Sequence, residues 1–85
     1  MDTARMIHAI SRHIEEFGIA PRGVEVGTDF ATVHLVKCHD LRRWAEVARA
    51  KVRANSDGMR ATRGWLTLKH DPCMACSGRM RRAAA

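Results

Sequence analysis

Gly23-Val24-Glu25-Val26-Gly27-Thr28-Asp29-Phe30-Ala31-Thr32-Val33-His34-Leu35-Val36-Lys37-Cys38 is the stretch that decides the fold. Val24 and Val26 alternate with Gly23 and Glu25. After Gly27-Thr28-Asp29, Val33 and Leu35 alternate with Thr32 and His34 in a run rich in β-branched residues. A period of two on both sides of a glycine-containing turn predicts a β-hairpin, with strands over residues 23–26 and 30–38.

Downstream of the hairpin the period changes to three and four. Asp40 is a natural N-cap, and Leu41, Trp44, Ala45, Ala48 and Val52 form one apolar stripe, which predicts a helix over residues 41–54. Asn55-Ser56-Asp57-Gly58 ends it. Residues 59–63 read either as a loop or as the start of a last strand over residues 64–70, which turns Leu66 and Leu68 inward and stops at Asp71-Pro72. Upstream, Met6, Ile7, Ile10, Ile14 and Phe17 mark a first helix, capped by Asp2 or Thr3 and closed by Gly18. Arg5, His8, Arg12, His13, Glu15 and Glu16 fall on its solvated side.

The second helix is long enough to bring the third strand back parallel to the second. The expected fold is α+β: a two-layer α-β-β-α-β domain with a three-stranded mixed sheet and two helices on one face. Residues 1–72 make this single domain and residues 73–85 a basic tail. Asp71 and Pro72 suit the start of a short C-terminal helix there, and Gly78 weakens it by about 1 kcal/mol relative to alanine.

A chain of 85 residues buries only about 60–65% of its unfolded surface. Its thin core would gain from a metal, a homodimer interface or a bound partner. No apolar run approaches the ~20 residues of a membrane span. The start Met1-Asp2-Thr3 lacks the basic region of a signal peptide, so a cytoplasmic protein with reduced or metal-bound thiols is expected.

Charge is polarised along the chain. Residues 1–35 hold three basic and five acidic residues, net −2, and residues 36–85 hold twelve basic and four acidic, net +8. Twelve of the fifteen basic residues are arginine, the side chain best matched to phosphate and carboxylate geometry. Arg42, Arg43, Arg49 and Arg53 on the second helix, Arg60 and Arg63 beyond it, and Arg79, Arg81 and Arg82 in the tail form the candidate surface for nucleic acid or for an acidic protein. The competing reading is an ordinary solvated helix face interleaved by Glu46. The chain has no tyrosine and two phenylalanines, so base stacking has little to work with and binding would be led by the phosphate backbone.

The three cysteines define a second candidate site. Cys73-x-x-Cys76 lets two thiolates reach one ion, and Cys38, with His70 or His39, completes the four ligands of a tetrahedral zinc. These residues converge only if the last strand runs parallel and adjacent to the second. Two other readings stand beside zinc: a half-buried Cys38 with two thiols in a mobile tail, or a redox pair at the N-terminus of a short helix. No catalytic set emerges. There is no glycine-rich phosphate loop, nucleophile elbow or His-Glu-x-x-His, and Glu15 and Glu16 diverge on their helix.

A basic helix–hairpin–helix–strand chain whose second helix begins Asp40-Leu41-Arg42-Arg43-Trp44-Ala45 resembles small proteins of actinobacterial phages and integrated elements, over roughly residues 3–70. The resemblance implies an accessory protein that binds host proteins or nucleic acid. It implies nothing about Cys73 or Cys76.

Overall fold

The computed structural model describes residues 2–56 and 58–71. Its order is α1 (Thr3–Phe17), β1 (Pro21–Val26), β2 (Ala31–Leu35), α2 (Cys38–Ala48), β3 (Lys51–Asn55), β4 (Gly58–Arg63) and β5 (Leu66–His70). The α+β class is as expected, and the sheet has five strands instead of three, in the order β1-β2-β5-β4-β3. β1 and β2 form the antiparallel hairpin. β2 and β5 pair in parallel, from Ala31 opposite Leu66 to Leu35 opposite His70. The two additional strands, β3 and β4, form a second hairpin inside the crossover, and β4 joins β5 antiparallel.

The extra hairpin exists because α2 stops early. Arg49 adopts a left-handed conformation (φ 56°), its N–H donates to the Glu46 carbonyl, and the N–H of Ala50 donates to the Ala45 carbonyl at 2.8 Å. This paired closure of a helix end normally falls on glycine. An arginine in that place carries no stop signal, so the apolar stripe of the sequence runs on to Val52, which lies instead on edge strand β3. The Asn55-Ser56-Asp57-Gly58 run joins β3 to β4 and does not end a helix. The start of α2 also moves. β2 ends at Leu35, Lys37 takes the cap position without a side-chain cap, and Asp40 lies in the first turn, where its carboxylate opposes the helix dipole's positive end.

α1 matches its sequence signals closely. The Asp2 carboxylate accepts from the Arg5 N–H at 2.8 Å. Gly18 is left-handed (φ 63°), and Ile19 returns its N–H to the Ile14 carbonyl and is buried. Met6 and Ile10 enter the core, and Ile7 remains 47% exposed at the edge of the stripe.

One face of the sheet is buried. Ala31, Val33 and Leu35 of β2, Leu66 and Leu68 of β5, and Met59 and Ala61 of β4 pack with Met6 and Ile10 of α1 and Leu41, Trp44 and Ala45 of α2. Both helices therefore cover the same face. Their junction includes His13, expected on the solvated side. Its ring stacks on Trp44 with centroids 4.1 Å apart and lies 4.5 Å from that of Phe17. Burial lowers the His13 pKa below its ordinary value, Arg43 pushes it the same way, and Glu16 opposes them.

Two outcomes test this packing. Gly58 has φ +117°, and a Cβ there would lie 2.1 Å from the His70 carbonyl oxygen, whereas a Cβ on Gly23 meets nothing within 4 Å. Gly58→Ala should lose at least about 2 kcal/mol in urea unfolding, and Gly23→Ala much less. A histidine whose folded pKa is depressed contributes stability that is complete above its unfolded pKa, about 6.5. That stability is lost as pH falls from there toward the folded value. Thermal unfolding should therefore shift downward between about pH 7 and pH 5, and His13→Gln should flatten the shift.

Candidate nucleic-acid interface

The period of two that buries one sheet face turns every second residue to the other, which no helix among the described residues covers. Thr32 and His34 of β2, Thr67 and Lys69 of β5, Arg60 and Thr62 of β4, and Lys51 and Arg53 of β3 occupy it. The register puts the cations in line. Arg53 is opposite Arg60, Arg60 is opposite Lys69, and Lys69 is opposite His34. Four basic side chains on four adjacent strands thus form one row about 14 Å long. A parallel row holds Lys51, Thr62, Thr67, Thr32 and Glu25, and the Thr62 and Thr67 hydroxyls lie 3.4 Å apart.

The electrostatics differ along the row. At its β1 end the cations are partnered: the His34 Nε2 is 3.1 Å from the Glu25 carboxylate, and Arg22 pairs with Asp71. At its β3 end, Arg53, Arg60, Lys69 and Lys51 have no carboxylate within salt-bridge distance among the described residues. Like charges set directly opposite one another across strands destabilise a sheet, and an anion laid across them removes that cost. The strand residues of this face include no phenylalanine or tryptophan, and the exposed Phe30 stands in the turn before β2, so the cationic rows offer phosphate contacts without a stacking platform among them.

The expected arginine surface is divided by the fold. Arg42, Arg43 and Arg49 are exposed on the helical layer, and the Arg43 guanidinium sits 5.6 Å above the centre of the Phe17 ring, a cation–π contact. Arg53 and Arg60 are on the opposite side of the molecule, and Arg63 is exposed where β4 meets the turn at Gly64. Arg79, Arg81 and Arg82 lie outside the described residues. Lys69 and His34 of the row, and Lys51 of the row beside it, are additions to the arginine surface expected from sequence. Their signal was the alternation of Lys69 with Leu68 and His70, and of Lys51 and Arg53 with Val52, visible only once 51–55 is read as a strand.

The expected metal ligands divide similarly. Cys38 and His39 open α2, Cys38 half-buried and His39 exposed. His70 ends β5, is 5% exposed, and sets Nε2 3.0 Å from the Val36 carbonyl. Cys73 and Cys76 lie outside the described residues. Among the described residues no three His, Cys, Asp or Glu side chains gather as a metal cluster. The cleft between the helices, lined by His13, Phe17, Ile19, Asp40, Arg43 and Val47, encloses about 10 Å³, space for one water. No helix among the described residues is long and apolar enough to cross a membrane. The chain matches no protein-family model, no curated protein and no solved structure.

The run of cations at Arg53, Arg60 and Lys69 has a measurable signature in the free protein. Thermal stability should rise as salt increases from about 0.05 to about 0.5 M, because screening weakens the repulsion. Arg60→Thr should raise stability by roughly 0.2–1 kcal/mol and shrink the salt effect.

Proposed function

We propose that this chain is a non-enzymatic binding protein that holds nucleic acid by its phosphate backbone on the open sheet face, as an accessory factor of the phage or mobile-element kind. One observation carries the reading: Arg53, Arg60 and Lys69 stand opposite one another on three adjacent strands with no carboxylate partner among the described residues. A folded domain that needed those positions only for solubility gains nothing from stacking like charges. A polyanion, in contrast, meets all three at once, with the threonine hydroxyls of the neighbouring row as further donors.

Recognition on this face depends on charge and not on base identity. The described strand residues of this face include no phenylalanine or tryptophan, so bases have little to stack on, and the arginines suit phosphates through bidentate contacts. Arg53, Arg60 and Lys69 of the row and Lys51 beside it supply four cations, so their contribution to the slope of log Kobs against log salt is about −3.6 on duplex and about −2.8 on a single strand. Arg79, Arg81 and Arg82 add to the total wherever they reach the same ligand.

Salt titrations of binding to a duplex of mixed sequence test the assignment. Arg53→Ala, Arg60→Ala and Lys69→Ala should each weaken binding about equally across sequences and reduce the slope by about 1. Arg42→Ala and Arg49→Ala should leave both unchanged. Absence of binding at low salt and micromolar protein, or an Arg60→Ala protein that titrates like the parent, overturns the reading. Stoichiometric capture of one acidic host protein that survives nuclease treatment favours a protein partner for the same cations instead.

A further inference from the structure

We infer that the ligand of the open face is a single-stranded nucleic acid, with the exposed ring of Phe30 as the platform on which one unpaired base stacks; the inference rests on the phosphate-binding reading above. Of the chain's two phenylalanines and two tryptophans, Phe30 is the most exposed, at 55%. Trp44 is in the core, Trp65 packs partly against it, and Phe17 lies beneath the Arg43 guanidinium. Phe30 is also held in place. The Gly27 N–H donates to the Phe30 carbonyl and the Ala31 N–H to the Trp65 carbonyl, both at 2.8 Å, so the backbone at the ring is tied to both neighbouring chain segments. A Cβ on Gly27 would overlap the Cδ1, Cε1 and Cζ atoms of Phe30, so the ring lies directly on the glycine backbone. A ring fixed in this way loses little conformational entropy when a ligand covers it.

Position gives the ring its role. Ala31, Val33 and Leu35 face the core, so the period of two puts Phe30 with Thr32 and His34 on the open face. Gly27, beneath the ring, falls with Glu25 on the same side of the hairpin. Thr32 and Thr67, side by side in the parallel register, stand between the ring and the cations of His34 and Lys69. Four residues along β2, about 13 Å, separate Phe30 from His34. Charge sorts the two parts of a nucleotide chain over that distance. Phosphates are drawn to Arg53, Arg60 and Lys69. The exposed Glu25 and Asp29 of the hairpin that carries the ring repel them, which leaves an uncharged base as the group suited to cover Phe30. A duplex keeps its bases paired and turns only their edges to the grooves, so it presents no base face to the ring. A single strand can splay a base onto it. Such stacking tolerates any base, in keeping with recognition that does not depend on base identity.

Salt titrations of the full chain against three probes decide the matter: oligothymidylate, an abasic strand with the same number of phosphates, and a mixed-sequence duplex. The parent should bind oligothymidylate more tightly than the abasic strand. Phe30→Leu keeps Gly27 covered and removes the π face. It should weaken oligothymidylate binding by about 5- to 150-fold, the span of one base–aromatic stack, and leave the abasic strand and the duplex unaffected. Its slope of log Kobs against log salt should equal the parent's, because a stack releases no counterions. Phe30→Trp should bind oligothymidylate at least as tightly as the parent. Arg60→Ala, in contrast, should weaken all three probes and lower the single-strand slope by about 0.7. A Phe30→Leu protein that binds oligothymidylate like the parent, or that weakens on all three probes alike, overturns the inference. So does a parent that binds the abasic strand as tightly as oligothymidylate. If Arg60→Ala still weakens binding in those cases, the phosphate reading stands without the stack. A parent that binds none of the probes removes both.

Discussion

The parallel pairing of β2 with β5 is the contact on which the rest of this molecule depends. It joins two hairpins that are local in sequence into one sheet. It places Val33 beside Leu68 in the buried layer and His34 beside Lys69 on the open face. It also brings His70 to the Val36 carbonyl. Parallel strands need a crossover, and here α2 and the β3–β4 hairpin together supply it. α2 contributes Leu41, Trp44 and Ala45 to the covered face, and the hairpin contributes the cations of the uncovered one.

This division makes the two faces chemically opposite. Every second residue of β2, β4 and β5 serves a small core closed by two short helices, and the intervening residues are free to carry charge. The charge is not spread evenly. Near β1 it is paired, through Glu25 with His34 and Asp71 with Arg22. Near β3 it is not. The unpaired end sits on the hairpin farthest from α1, where a ligand can approach without meeting the helices. On the proposed reading, packing leaves this end of the sheet face to a polyanion, and contacts to phosphate suit its cations better than base readout does.

Much of this was legible in the sequence, and the failures have one physical cause. The alternation in Val24–Val26 and Val33–Leu35, the Asp2 cap, the Gly18 stop and the parallel return of Leu66–His70 each rest on a local rule that the fold obeys. The end of α2 does not. Its left-handed closing residue is Arg49, and no propensity marks an arginine as a helix stop. Helical periodicity therefore runs on through Ala48 to Val52, which hides β3, places Arg53 on a helix and leaves β4 ambiguous. The same error concealed the basic row, because Arg53, Arg60 and Lys69 align only when three strands lie side by side. His13 is hidden from the sequence for a different reason: its partner, Trp44, is 31 positions away, and no local pattern reports a stacking contact between two helices.

The central claim is that the open sheet face, and not the arginine-bearing side of α2, is the binding surface. Backbone amide NMR of the full chain, titrated with a mixed-sequence nucleic-acid duplex, tests it directly. The account predicts shift changes concentrated at Arg53, Arg60, Thr62, Thr67 and Lys69, with Arg42, Arg43 and Glu46 unmoved. Changes centred on Arg42, Arg43 and Glu46, with β3, β4 and β5 silent, would contradict it.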